Sequence, residues 1–177
     1  GATYVDEDGL GLTLVRYADG DEDSYKLKDQ SGNIKFFYHN MLSYIADGND
    51  NRIYFLYNNN SYSSSSTKWH PTGTDDKLTQ IVAVNKGQDA EVICTLTYNS
   101  SNQLSQITDY ANRKTIFSYT NGNLTKVTHP DGTAAHYAYD SNGQLIRMYD
   151  DEVDYGIEYG YDADGNVVKG TQVIQGA

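Results

Sequence analysis

The sequence has little cysteine and no long hydrophobic run, and each shortage excludes a class of protein. Its single cysteine, Cys94, cannot form an intrachain disulfide, so the 177-residue chain is not a disulfide-stabilised scaffold. Cys94 lies in the apolar segment 92–96, where we interpret it as a small buried hydrophobic residue. No segment approaches the ~20 apolar residues of a membrane-spanning helix, so no membrane span is expected.

Basic residues are scarce as well. Thirteen lysines and arginines stand against 24 acidic residues, which gives a formal net charge of −11. A surface of this sign repels phosphate backbones, so nucleic-acid binding is not expected. The histidines His39, His70, His129 and His136 have no acidic or cysteine partner at metal-site spacing in the sequence. We therefore predict no metal site and no cofactor.

Motifs typical of an enzyme are missing too. The nucleophile-elbow motif Gly-x-Ser-x-Gly does not occur, and segment 9–11 lacks the lysine of a phosphate-binding loop. The acidic residues cluster in segments 19–23, 75–76 and 150–154, and we interpret them as solvated side chains in turns. The sequence thus predicts a protein that is not an enzyme and has no catalytic residues.

Tyrosine, in contrast, is abundant. There are 17 tyrosines, and a tyrosine followed by a polar turn and then an aliphatic residue recurs in segments 98–104, 119–124, 139–145 and 161–167. The steps between the four leading tyrosines are 21, 20 and 22 residues. Such a period indicates one supersecondary unit stacked on its neighbours, which favours a scaffold or a binding surface over a single active site.

Each unit has the pattern of a β-hairpin. Asn121-Gly122, Asn142-Gly143 and Asp164-Gly165 are dipeptides that favour type I′ turns, in which both central residues have positive φ. In the first unit Asn102 takes this place, since asparagine tolerates the left-handed region. Second turns are predicted at segments 109–113 and 129–132, and an acidic loop at 150–154.

Between the turns, apolar residues alternate with period two. Thr115, Phe117 and Tyr119 share one face, which is typical of a strand. Leu124 and Val127 are three residues apart, so either both faces are partly buried or a β-bulge intervenes; the pattern alone does not decide. We predict an all-β fold of consecutive antiparallel β-hairpins that form a twisted, curved open sheet.

The first half of the chain carries weaker copies of the unit. Leu42, Ile45, Asp47, Phe55 and Tyr57 match Leu104, Ile107, Asp109, Phe117 and Tyr119 at a constant shift of 62 residues. We therefore divide the chain into an N-terminal β region with degenerate repeats (1–57), a polar low-complexity loop (58–77) and a regular hairpin region (78–177).

The units resemble the YD repeat of the RHS family, whose pattern is approximately Tyr-Asp-x-x-Gly-x-Leu. Segments 139–145 and 161–167 are close matches, and segment 47–53 is similar to an element of bacterial wall-associated proteins. The clear resemblance covers residues 98–169. The predicted structural positions of the repeat are Tyr98, Leu104, Asp109, Tyr119, Gly122, Leu124, Gly132, Tyr139, Asp140, Gly143, Leu145, Tyr161, Asp162 and Gly165.

In that family, hairpin ribbons spiral into hollow shells that can enclose a C-terminal toxin. The resemblance implies a bacterial protein that is secreted or on the cell surface, and a non-catalytic segment that encases or presents another domain. Its expected partners are the remainder of the parent polypeptide and a C-terminal toxin or effector. The core segment with its proteolytic motif is not found, so cargo release is expected to lie outside this chain.

Two further expectations concern exposed surfaces. Aromatic rings on the sheet, with Trp69 beside the polar loop, could stack on sugars, so the alternative function is a carbohydrate-binding module of the cell envelope with glycans as partners. The competing interpretation is that rings from successive hairpins pack in ladders. An unpaired terminal strand would leave backbone groups free, which predicts edge-to-edge self-association.

Overall fold

The computed structural model describes residues 2–19, 22–38, 40–58, 77–153 and 155–174. These residues form strands and turns. They include no helix, and so none that is long and apolar enough to cross a lipid bilayer. The strands are β1 (Ala2–Val5), β2 (Thr13–Asp19), β3 (Glu22–Lys28), β4 (Ile34–Tyr38), β5 (Met41–Ala46), β6 (Arg52–Tyr57), β7 (Leu78–Val84), β8 (Glu91–Tyr98), β9 (Leu104–Asp109), β10 (Lys114–Thr120), β11 (Asn123–Thr128), β12 (Ala134–Tyr139), β13 (Leu145–Asp150), β14 (Tyr155–Tyr161) and β15 (Val167–Ile174).

All fifteen strands belong to one sheet in which the order of strands is their order in the sequence. The pairing is antiparallel, and β1 and β15 are the two edge strands. This arrangement confirms the predicted all-β fold of consecutive hairpins in an open sheet.

The chain divides into two compact units, residues 1–96 and residues 97–177. In the first unit Tyr54, Leu56 and Val82 are buried, with Tyr44 packed against them. The rings of Phe36 and Tyr44 stack with centroids 5.2 Å apart, and the centroid of Tyr54 lies 5.6 Å from that of Tyr44. An aromatic ladder across three adjacent strands therefore extends from the buried core of this unit.

The polar loop predicted at 58–77 lies outside the described residues except for its two ends. There, the Asn58 N–H donates to the Lys77 carbonyl at 2.9 Å, next to the pairing of β6 with β7. Cys94 pairs with Ile81 across β7 and β8 and is half-buried rather than buried, because its strand is only partly covered.

The second unit shows the predicted alternation. Along β10, Thr115, Phe117 and Tyr119 are half-buried, whereas Lys114 and the other intervening side chains are exposed. The half-buried side chains share one face of the strand, as the period-two pattern requires.

A β-bulge explains the three-residue spacing of aliphatic residues. Tyr119 lies opposite Leu124, but Ser118 lies opposite Lys126, so Thr125 is an extra residue in β11. Leu124 lies opposite Tyr119, and Val127 lies opposite Phe117. Leu124 and Val127 consequently point to the same face of the sheet as these two aromatic residues. The same shift recurs at Ala138/Tyr139, Gly160/Tyr161 and Leu56/Tyr57.

The type I′ prediction is correct for one hairpin and wrong for two. Asn121 and Gly122 both have positive φ, at 51° and 85°. In the other two hairpins only Gly143 (φ 79°) and Gly165 (φ 84°) are positive; Asn142 and Asp164 are not. These are longer loops in which a type I turn precedes one left-handed residue. The side chain that begins each loop stabilises this longer form.

Candidate functional site

The most regular polar arrangement in the molecule is a turn headed by aspartate. Asp140 Oδ1 accepts hydrogen bonds from the backbone N–H of Asn142 at 2.8 Å and of Gln144 at 2.9 Å. The Gly143 N–H donates to the Asp140 carbonyl at 3.1 Å. Equivalent side-chain bonds are made by Asp47, Asn99, Asp109 and Asp162. The carboxylate thus accepts hydrogen bonds from backbone N–H groups that the turn would otherwise leave without a partner.

These hydrogen bonds favour the ionised carboxyl group. The side chain of Asn51 lowers the pKa of Asp47 below 3.8, and the Arg113 guanidinium does the same for the pKa of Asp109. At Asp162 the backbone N–H of Asn166 is the main cause of a lowered pKa. Segment 47–51 therefore uses the carboxylate of Asp47 to build a turn.

The tyrosine of the repeat has a hydrogen-bonding role. The hydroxyl of Tyr119 donates to the Leu104 carbonyl at 2.8 Å, and Tyr161 donates to Leu145 at 2.6 Å. Tyr57 donates to Leu42 at 2.9 Å, which confirms the copy found at a shift of 62 residues. Each bond joins two neighbouring strands.

The position of this bond follows from the strand register. β9 and β10 pair only over three residues next to their turn, from Lys114 opposite Thr108 to Ile116 opposite Gln106. β13 and β14 likewise pair over three residues beside their own turn. At the other end the tyrosine side chain, rather than a backbone amide, reaches the leucine carbonyl. A phenol suits this position because its ring stays half-buried while its hydroxyl finds a polar partner.

Sequence reasoning missed a second hydroxyl. The residue after the aliphatic position is serine or threonine in four copies, at Ser43, Thr79, Ser105 and Thr125. Thr79, Ser105 and Thr125 donate to backbone carbonyls of the neighbouring strand at 3.1–3.2 Å. Ser43 is only 1% exposed, and its hydroxyl has no partner among the described residues. The recurring Leu-Ser/Thr dipeptide was the available signal.

The predicted repeat residues lie in the strands and turns described above. Tyr139 pairs with Leu145 across a hairpin, and burial raises the pKa of Tyr98. The left-handed positions of the turns are Gly122, Gly132, Gly143 and Gly165. Asp109, Asp140 and Asp162 head the turns.

Two histidines contact acids that their sequence spacing did not suggest. His136 Nε2 lies 3.0 Å from Asp151 Oδ1, and His129 Nε2 lies 3.4 Å from Asp150 Oδ2. The His136 ring also stacks on Tyr149, with centroids 4.4 Å apart. Hairpin register brings these residues together. His39, His70 and Trp69 lie outside the described residues; within the described residues no three His, Cys, Asp or Glu side chains converge on one point.

The first unit contains a groove of about 410 Å³. Its apolar floor includes Ile45, Ile53 and Ala83, and its polar rim includes Lys35 and Asn85. None of the described residues that line it is aromatic, so the groove offers no ring on which a sugar could stack.

Comparison with known proteins identifies the repeat. The family model described as RHS Repeat matches residues 98–134 and 120–152. Among curated proteins, none matches the chain. The matched stretch contains the regular units described above, and we conclude that residues 98–152 are RHS-repeat sequence.

Several solved structures share the fold. A crystal structure of TcdB2-TccC3-Cdc42 matches 91% of this chain at 16% identity and a TM-score of 0.58. A crystal structure of TcdB2-TccC3 matches 94% at 17% identity and a TM-score of 0.55. A Photorhabdus luminescens Tc holotoxin pore matches 91% at 17% identity and a TM-score of 0.57. The match covers 9% of the chain in each of these structures.

Proposed function

We propose that this RHS-repeat chain is a non-catalytic structural segment of a large secreted or cell-surface protein of bacteria. In this role it encases or presents another part of the parent polypeptide. The observation that carries the proposal is the use of its repeated polar groups within the fold. The carboxylate of Asp140, the hydroxyl of Tyr119 and the hydroxyl of Thr125 all bond to backbone groups of neighbouring residues or strands.

The fold likeness supports this role. The similar structures are named as TcdB2-TccC3 complexes and a Tc holotoxin pore, and this chain is comparable with about a tenth of their length. A short stretch of hairpins within a much larger chain suits a wall segment better than a self-contained enzyme. We infer that the partners are the remainder of the parent polypeptide and a toxin or effector segment within it.

Limited proteolysis of the full parent protein tests the encasing role. Gly143→Val should distort one hairpin of the wall, because a β-branched residue resists the positive φ of this position. Circular dichroism should show that the variant keeps its β structure. The enclosed segment should then be cleaved faster than in the unmodified protein. Equal cleavage rates in both proteins would contradict the proposal.

Glycan arrays separate this role from the alternative of carbohydrate binding. We expect no saturable binding to any glycan, since the described rings of Phe36, Tyr44 and Tyr54 pack on one another. Saturable binding that is lost on Trp69→Ala would favour a carbohydrate-binding module instead.

A further inference from the structure

The two Asn-Gly dipeptides of the chain lie in turns of different construction. Asn142-Gly143 belongs to the turn headed by Asp140, which is closed by four hydrogen bonds. Asn121-Gly122 forms a two-residue turn that is closed by the pairing of Thr120 with Asn123, and its only side-chain bond within the described residues is the one that the Gly122 carbonyl accepts from Gln103 Nε2. The same dipeptide therefore occurs once in a turn whose backbone N–H groups bond to a carboxylate and once in a turn without such a carboxylate.

Asn121 and Gly122 are also open to solvent. Both residues are exposed, and a Cβ placed on Gly122 would meet no atom within 4 Å. Neither the side-chain amide of Asn121 nor the backbone N–H of Gly122 forms a hydrogen bond to a described residue. At the other dipeptide, the Gly143 N–H is held by the Asp140 carbonyl at 3.1 Å.

We propose that Asn121 is a site of spontaneous deamidation. The backbone nitrogen of Gly122 gives up its proton to solvent and attacks the side-chain amide carbon of Asn121. A new C–N bond closes a five-membered succinimide ring, while the bond to the side-chain nitrogen breaks and ammonia leaves. Water then adds to one of the two ring carbonyls, and the ring opens to aspartate or isoaspartate. The only co-reactant is water, and no oxidation or reduction takes place.

The construction of the turn determines which asparagine reacts. Ring closure requires the Asn-Gly peptide to rotate out of its turn, so the rate follows the local opening equilibrium. Opening of the turn at residue 142 breaks two bonds to the Asp140 carboxylate, whereas opening at residue 121 breaks at most the one side-chain bond from Gln103 to the Gly122 carbonyl. One intramolecular hydrogen bond corresponds to about fivefold in rate. Asn121 should therefore react at least about fivefold faster than Asn142.

Deamidation at this position would change the contact between two repeats. The Gly122 carbonyl accepts a hydrogen bond from Gln103 Nε2 at 2.8 Å, which joins the turns of successive hairpins. Isoaspartate adds a methylene group to the backbone beside this carbonyl and moves it. The reaction also replaces a neutral amide with a carboxylate in a chain of formal net charge −11.

Peptide mapping by mass spectrometry tests the proposal on the intact chain. After incubation at 37 °C in mildly alkaline buffer, the peptide with Asn121 should show the mass gain of amide-to-acid exchange before the peptide with Asn142. Equal rates at the two sites, or a faster reaction at Asn142, would overturn the proposal.

Asp140→Ala provides a second test with an internal reference. The substitution removes the carboxylate that braces Asn142 and leaves the turn at residue 121 unchanged, so the rate at residue 142 should rise about fivefold relative to residue 121. The ratio of the two rates corrects for any general loss of stability. A ratio that does not change would show that the hydrogen bonds to the Asp140 carboxylate do not control the reaction.

Discussion

Hydroxyl groups complete the backbone hydrogen bonding at two positions in the repeat. A bulge interrupts the ladder of strand hydrogen bonds, and the serine or threonine at the bulge bonds to the carbonyl opposite. Where the neighbouring ladder ends early, the tyrosine hydroxyl bonds to the leucine carbonyl. Buried or half-buried carbonyls are costly to leave unsatisfied, which explains why these hydroxyls recur.

Replacement of Tyr119 by phenylalanine tests the second of these bonds, the one from the tyrosine hydroxyl. The ring is kept and only the donor to the Leu104 carbonyl is removed, so the free energy of unfolding should fall by about 1 kcal/mol. Tyr137→Phe is the matched control, because the Tyr137 hydroxyl bonds to no described residue. Urea denaturation should distinguish the two variants, and an equal effect of both would refute the role of the bond.

The hydroxyl groups at the bulges allow two substitutions whose expected effects on stability have opposite signs. Thr79→Val removes the donor to the Leu56 carbonyl and should cost about 1 kcal/mol of stability. Ser43→Ala removes a buried hydroxyl that has no partner among the described residues, so stability should stay the same or rise. Thermal melting of the two variants checks both signs. A loss of stability in Ser43→Ala would mean that this hydroxyl is satisfied.

At the scale of the element, the sequence predicted where the turns lie but not the type of each turn. Asn-Gly and Asp-Gly favour a type I′ turn when only the two central residues are considered. At Asn142-Gly143 the preceding Asp140 accepts two backbone amides and selects a longer loop. At Asn121-Gly122 the residue two positions earlier is Tyr119, which offers no such carboxylate, and the two-residue turn forms. The residue two positions before the dipeptide was therefore the missing information.

The contacts of the candidate site were less predictable than the strands. Alternation along β10 gave the half-buried face directly, because the side chains of a strand have period two. The presence of a β-bulge could not be decided from the sequence, since a three-residue spacing of aliphatic residues fits more than one arrangement. The pairing of His136 with Asp151 depends on hairpin register, which local spacing does not encode.

Glycine at the left-handed turn position should matter more than glycine within a strand. Gly143 has φ of 79°, where a Cβ costs about 1–2 kcal/mol, so Gly143→Ala should lower the melting temperature. Gly170 in β15 has no positive φ, and a Cβ there would meet no atom within 4 Å. Gly170→Ala is therefore expected to leave the melting temperature almost unchanged. Equal effects at both positions would contradict the assigned turn.

The turn carboxylates should make the chain sensitive to acid. Asp47, Asp109 and Asp162 have folded-state pKa values below 3.8, so their stabilisation is complete above the unfolded pKa. This stabilisation is lost as the pH falls through the lower folded pKa. The melting temperature should therefore be steady near pH 6 and fall below about pH 4.

Asp162→Asn provides the control for this pH dependence. Asn99 shows that an asparagine can make the same two turn bonds, so the variant should keep its turn at neutral pH. Its acid-induced loss of stability should be smaller than that of the unmodified chain. An identical pH profile would exclude Asp162 as a contributor.

At the scale of the whole molecule, every strand of the described residues pairs only with its neighbours in the sequence. The sheet is therefore open, and the outer sides of β1 and β15 pair with no described strand. β15 also exposes apolar side chains, with Val168 at 64% and Ile174 at 71% exposure. An edge of this kind is a template for pairing with another strand.

The isolated chain should consequently self-associate as its concentration rises. Sedimentation equilibrium should show a dimer, and Val168→Lys should shift the equilibrium towards monomer because a charged edge resists pairing. Tyr110→Lys adds the same charge in an exposed turn and should leave the association unchanged. A monomer at all soluble concentrations would refute the prediction.

The restriction of strand pairing to sequence neighbours has an evolutionary consequence. A duplicated or deleted stretch of about 20 residues carries its own turn, bulge and tyrosine, so it needs no compensating change in a distant strand. The copies separated by 62 residues still make the same tyrosine bond, at Tyr57 and at Tyr119. Repeat proteins of this kind can thus change their number of hairpins by unequal recombination within a gene, while each module continues to fold.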